Sequence, residues 1–289
     1  VTIAPPTFQA PFVRSDAGPL RGVVVVPPTA ALATVAPVHG ESNAIVERAL
    51  EQYAVFVSRL HALGVKTFAA EPDERAPLGT LCADGAVMFP DGAFVMRPSD
   101  LRRRAGIAAL EEVLGRAQIP IVGRIEPPGF LDGGDAMLSE STLYVAVPTP
   151  RQAETGIRAA VHGNALGREQ LAAYARSRGL AVVEVKIAAE VRRLRSVAAL
   201  LDAGTVLCAR GLVDADAFAG LQCIAAPRGE DYGAGVLALG NRRAIANLRF
   251  RETIPLLRKA KFTVDAIDLW EFGKIGATPS SMALALKRD

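Results

Sequence analysis

The chain has 289 residues, 50% hydrophobic and 22% charged, with 33 basic against 30 acidic side chains. So many apolar residues support a large core and exclude a mainly disordered chain, and a net charge of +3 is too even for a dedicated nucleic-acid binder. Its three cysteines, Cys82, Cys208 and Cys223, are widely spaced, so neither a disulfide framework nor a close-spaced metal motif is expected, and a reducing cytoplasm is the default compartment.

No segment reads as membrane-spanning. Leu20 to Val38 is the most apolar N-terminal stretch, but Arg21, Pro27, Pro28 and Pro37 break it, and it lacks the charged start and cleavage pattern of a signal peptide. The first residue is Val1 rather than Met, which fits a processed or trimmed terminus.

In chain order, Gly22 to Val26 reads as a buried strand stopped by Pro27-Pro28. Thr29 to Gly40 is a long mixed loop with the character of a lid. A helix is expected from an N-cap at Ser42 or Asn43, with Ile45, Ala49, Tyr53, Val57 and Leu60 striping one face and Gly64 closing it. A strand at Val65 to Ala69 follows.

The cycle then recurs. Ala86 to Phe89 and Ala93 to Met96 flank the turn Pro90-Asp91-Gly92, ahead of a helix from about Leu101 to Ala117 and a strand at Ile119 to Val122. The third cycle has strands near Ala136 to Leu138 and Leu143 to Val147, a helix across Thr155 to Arg178, and a strand at Ala181 to Val185. The fourth has strands near Val197 to Leu200 and Thr205 to Cys208, a short helix from Asp214, and a strand at Gln222 to Ala225. The fifth has Gly235 to Leu239, Arg243 to Ala246, a helix from about Arg251 to Ala260, and Phe262 to Ile267, before a last strand at Met282 to Leu286. Five strand–strand–helix–strand units predict one α/β domain over residues 1–289, a ring of repeats around a central cavity, because no single unit can bury its apolar face alone.

Two motifs carry charge into turns. Leu131-Asp132-Gly133-Gly134-Asp135 pairs glycines that permit close backbone approach with two carboxylates, although by itself it is simply a loop before a strand. Arg102-Arg103-Arg104 sits at a helix start, where the dipole disfavours cations, so it is either a solvated face or a carboxylate-binding site. His39 is a lid-loop histidine that could reach the cavity. His61 and His162 read as surface or boundary residues, and the cysteines as packing residues.

These motifs, in this order and over almost the whole chain, resemble the dimethylarginine dimethylaminohydrolase family of guanidine-modifying enzymes. The resemblance rests on the helix Asn43 to Gly64, on Asp91-Gly92-Ala93-Phe94-Val95-Met96-Arg97-Pro98 with the arginine run after it, and on Leu131 to Asp135. Arg151 to Gly156, Leu194-Arg195-Ser196 and the C-terminal strand extend it. It implies the pentein propeller, five ββαβ units around a central site.

It also implies a cysteine nucleophile, a proton-moving histidine and carboxylates that grip a guanidinium. By spacing, the nucleophile falls on Ser281, the histidine on Arg193, and three guanidinium-binding acids on the uncharged Leu78, Ala83 and Gly276. An unactivated serine hydroxyl does not attack at neutral pH, and arginine stays protonated and is no base. The resemblance keeps Asp84, Arg103 and Arg151 as binders of an amino acid's ammonium and carboxylate, and Asp132 as the acid that assists the histidine. The expectation is therefore a protein that binds a small amino-acid-like molecule without hydrolysing an amidine, with no cofactor, metal, nucleic acid or membrane, and with homodimerisation open. Two alternatives stay open. One is altered chemistry using Asp132, Arg193, Ser281 or a lid residue, or an active hydrolase if the spacing is misassigned. The other is a structural or partner-binding descendant with an empty cavity.

Overall fold

The computed structural model describes residues 8–40, 42–149 and 163–289. Arg151, the start of the expected helix from Thr155, and His162 lie outside those residues. The first unit has β1 (Leu20–Val25), α1 (Val46–Ala62) and β2 (Lys66–Ala69); the second has β3 (Ala86–Phe89), β4 (Gly92–Val95), α2 (Leu101–Arg104), α3 (Ile107–Arg116) and β5 (Ile121–Arg124). The third has β6 (Ala136–Leu138), β7 (Thr142–Pro148), α4 (Ala165–Ser177) and β8 (Ala181–Ile187). In the fourth, α5 (Leu194–Val197) leads into β9 (Ala198–Asp202), then β10 (Thr205–Cys208), a 3-10 turn at Ala215–Phe218 and β11 (Gln222–Ala225). The fifth has β12 (Leu237–Gly240), β13 (Arg243–Asn247), α6 (Thr253–Lys259) and β14 (Thr263–Ile267), followed by α7 (Trp270–Lys274) and β15 (Leu284–Arg288).

These strands form five separate three-stranded sheets. In each, an inner strand pairs antiparallel with a middle strand, and the middle strand pairs parallel with an outer one across the crossover, as in β3–β4–β5 and β6–β7–β8. The first unit obtains its inner strand from the other end of the chain: β15 runs antiparallel to β1, with Val24 opposite Leu284. This is the ββαβ cycle predicted from the sequence, and the fold is the α/β pentein arrangement. Met88, Met137, Leu200, Ala238 and Leu284, one from each inner strand, line an axial channel of only about 40 Å³. The axis is therefore packed with side chains, and the polar residues of interest lie where the inner strands begin.

Local chemistry moves several boundaries. Asn43 does not cap α1; its amide donates to Ala33 O at 2.7 Å, and the helix begins at Val46 after Ile45 N donates to Glu271 Oε2 at 2.8 Å. Phe56, fully buried, anchors α1, whereas Ile45 is exposed. The single helix expected over Leu101 to Ala117 is two, interrupted at Ala105-Gly106, since glycine disfavours helix interiors. The arginine run meets no adverse dipole, because Asp100 caps α2 by accepting from Arg102 N and Arg102 pairs back to it at 2.8 Å. The last strand starts at Leu284 rather than Met282, because Met282 N is still bonded to Thr278 O in the preceding turn. The Thr29–Gly40 loop is pinned down: Leu32 and Val35 are buried, and the amides of Val38 and His39 both donate to Lys274 O.

Candidate functional site

Each inner strand is preceded by a tight turn. Cys82–Asp84 precedes β3, Gly133–Asp135 precedes β6, Arg193 caps α5 before β9, Asp231–Ala234 precedes β12, and Thr278 to Ser281 precedes β15. The repeat of the fold thus delivers one turn from every unit to the same end of the ring. Gly133 and Gly134 let these turns meet. A Cβ on Gly133 would fall 2.3 Å from Ala83 O, and one on Gly134 would fall 2.6 Å from Asp84 Oδ1 and 2.7 Å from Arg193 Cδ. The paired glycines therefore serve contact between turns.

Four of the six residues singled out from the sequence converge here. Asp84 Oδ2 accepts from Arg193 Nε at 2.6 Å and from Arg103 Nη1 at 3.0 Å, and Arg103 Nη1 also donates to Asp132 Oδ2. Asp84, Asp132 and Arg193 are buried, and the Arg103 side chain is only 11% exposed. Asp135, which the sequence reading quoted in its motif without giving it a role, joins them. It is buried and accepts from Leu194 N at 3.2 Å, so it holds the start of α5 and with it Arg193. Its place as the second acid of Asp-Gly-Gly-Asp was the available signal.

Three carboxylates against two guanidiniums leave this cluster short of positive charge. Burial disfavours the Arg103 cation, but Asp132 and Asp84 outweigh it and hold its pKa above the usual value. The cost of burial then falls on the acids. Asp132 is pushed up to about 6, chiefly by burial with Asp84 adding to it against Arg103, and Asp135 is raised well above the ordinary range by burial and its two acidic neighbours. Arg103 therefore stays charged, while Asp132 and Asp135 take up a proton more readily than ordinary carboxylates.

The cluster also has hydrogen-bonding capacity to spare. Buried Arg103 Nε, Arg193 Nη1, Asp84 Oδ1 and Asp132 Oδ1 have no partner among the described residues. Two donors and two acceptors in one place are what a zwitterion needs, and leaving them unmet costs free energy.

Ser281 is different. It reaches the cluster through its backbone, where its carbonyl accepts from Ala83 N at 3.2 Å. Its hydroxyl accepts from Thr278 N at 2.9 Å and donates to Thr278 O at 2.8 Å, so both its capacities close its own turn. Cys82, beside Asp84, does not replace it as a nucleophile. Burial pushes its thiol up to about 12, and the sulfur donates to Val24 O and Met282 O. His39 stands edge-on to Tyr232, ring centres 4.3 Å apart, in a groove of about 660 Å³ that also touches Phe250 and Trp270. Burial and then Arg192 lower its pKa, so it is neutral near pH 7. His61 is far from such chemistry, with Nε2 bonded to Thr67 Oγ1. Among the described residues no group of three His, Cys, Asp or Glu side chains is placed to hold a metal ion, and no helix is long and apolar enough to cross a membrane.

Comparison with known proteins agrees with this architecture. No family model matches the chain. N(G),N(G)-dimethylarginine dimethylaminohydrolase of Streptomyces coelicolor is 30% identical over 239 residues, 83% of this chain and 86% of that protein. Its counterpart in Pseudomonas aeruginosa is 27% identical over 237 residues, 82% of this chain and 88% of that one. A crystal structure of dimethylarginine dimethylaminohydrolase as an adduct with S-methyl-L-thiocitrulline superposes with a TM-score of 0.81 at 25% identity, covering 92% of this chain and 99% of that one. Five small three-stranded sheets in the ββαβ order define the pentein-fold class, to which dimethylarginine dimethylaminohydrolase also belongs. Within that class, the chain belongs to the dimethylarginine dimethylaminohydrolase family.

Proposed function

We propose that this family member binds a small amino-acid-like zwitterion and no longer hydrolyses amidines. The observation that carries the reading is the set of four buried atoms without a partner among the described residues, Arg103 Nε and Arg193 Nη1 as donors with Asp84 Oδ1 and Asp132 Oδ1 as acceptors. A carboxylate matches the first pair and an ammonium the second, through charge-assisted hydrogen bonds. Arg151, assigned by its sequence position, adds a third arginine for the carboxylate. The related protein that forms an adduct with S-methyl-L-thiocitrulline handles an amino acid of similar size, which supports this class of ligand.

Loss of hydrolysis rests on chemistry. At the family's nucleophile position Ser281 spends its hydroxyl on Thr278, and at the histidine position Arg193 is held by Asp84 and cannot act as a base. Leu78, Ala83 and Gly276 offer no carboxylate to a guanidinium. The compartment fitting three unpaired thiols is the reducing cytoplasm.

Calorimetry with neutral, acidic and basic amino acids, alongside an assay for citrulline release, tests the reading. Neutral or acidic amino acids should bind more tightly than arginine, because Leu78, Ala83 and Gly276 leave a guanidinium without a carboxylate. Arg103→Ala should weaken binding roughly tenfold to a hundredfold, the worth of one charge-assisted pair. Arginine as the tightest ligand, or citrulline release that disappears on changing Ser281, would overturn it.

A further inference from the structure

Cys208 and Cys223 lie on adjacent parallel strands, β10 and β11, with Val206 opposite Cys223 and Cys208 opposite Ala225. Two positions apart in register, they project from the same face. Their sulfurs are 2.6 Å apart and both are free thiols. At that separation the two sulfurs are already within reach of an S–S bond. β11 is the outer strand of its sheet, paired on one side only.

The two thiols have unequal surroundings. Cys208 is fully buried in the core between the third and fourth units. Cys223 is half-buried and lines a surface groove of about 640 Å³ together with Arg210. The Arg210 guanidinium donates to the Cys223 sulfur and lines the same groove.

We propose that Cys223 and Cys208 are an oxidation-responsive thiol pair, in which Cys223 meets a hydroperoxide and Cys208 resolves the product into a disulfide. The Cys223 thiolate attacks one peroxide oxygen: an S–O bond forms, the O–O bond breaks, and the leaving oxygen departs as water after taking a proton. The Cys208 sulfur then attacks the Cys223 sulfenic acid, the S–O bond breaks, and a second water leaves. The two thiols lose two electrons and two protons, and one hydrogen peroxide is reduced to two waters.

The pair joins the buried middle strand of its sheet to the one-sided outer strand, so the bond would tie β11 to β10. Its Cys223 end faces the surface groove, and a disulfide open to attack by a small thiol is readily reduced, as a switch requires.

The native protein is treated with a small excess of hydrogen peroxide, quenched, unfolded and titrated for thiols. The count should fall from three to one, with peptide mapping joining Cys208 to Cys223 and leaving Cys82 reduced. Millimolar glutathione should restore all three. In Cys208→Ser, dimedone should trap a sulfenic acid on Cys223. Three thiols after treatment, a bridge involving Cys82 or a second chain, or first oxidation at Cys208 would overturn the proposal. Mapping of the unaltered protein decides the matter even if the serine variant fails to fold.

Discussion

Two turns at the same end of the ring have taken opposite courses. Around Asp84 and Asp132 the side chains are charged, buried and only partly satisfied, with donors and acceptors still open. In the Thr278 to Ser281 turn the side chains are neutral and closed, Thr278 Oγ1 to Ser280 Oγ at 3.0 Å and Ser281 Oγ onto the Thr278 backbone. Open hydrogen-bonding capacity can bind something, whereas satisfied capacity only holds a shape. On the proposed function, recognition would fall to the turns before β3 and β6, with the entrance to β15 a structural corner.

The largest test removes the shared acid. Asp84→Ala strips Arg103 and Arg193 of a common carboxylate, and breaking a buried ion pair from one side costs about 3–5 kcal/mol. The melting temperature should fall on the order of 10 °C in calorimetry. A fall no larger than that of a surface variant would mean the charges are not truly buried.

The next test uses protons. Asp132 titrates near 3.8 when unfolded and is pushed up to about 6 by burial and Asp84, so the folded chain holds this proton more readily between those values. Its contribution to stability is full below about pH 3.8 and is lost as pH rises through about 6. A shift of this size corresponds to about 3 kcal/mol at most. Wild-type minus Asp132→Asn unfolding curves from pH 4 to 7.5 should show that slope, and a flat difference would remove the asymmetry between the turns.

Smaller effects belong to the closed turn. Ser281→Ala loses the bonds to Thr278 and should cost about 1–2 kcal/mol in urea melts while leaving amino-acid affinity unchanged. The smallest expected effect is none: Ser281→Cys alone should release no citrulline, because Arg193 supplies no base and Ala83 no carboxylate. Turnover by that single variant would show the corner to be a dormant reaction centre.

The fold was legible because strand–strand–helix–strand recurs with turns at similar spacing, and each unit needs its neighbours for burial. The β15–β1 pairing was not, since nothing local in Leu284–Arg288 names a partner near residue 20. At the site, the residue types were legible and their pairing was not. The family resemblance singled out Arg103 from its run of three, but the residues alone did not show why: Arg102 turns back to Asp100, Arg104 to Pro98 O, and of the three Arg103 reaches Asp84 and Asp132. Side-chain direction within one helical turn decided this, and sequence spacing does not encode it. The role of Asn43 was likewise set by a distant partner, Ala33 O, which outcompeted the helix end.

The pairing of β15 with β1 also sets a timetable. Because the inner strand of the first sheet lies far along the chain from β1, that sheet stays short of a strand until β15 has been made, with the apolar edge of β1 uncovered until then. Long-range closure of this kind is slow and leaves the nascent chain prone to sticking. Once closed, the ring has no privileged starting point, so a permuted chain opened at an exposed turn such as Gly179 would trace the same circle.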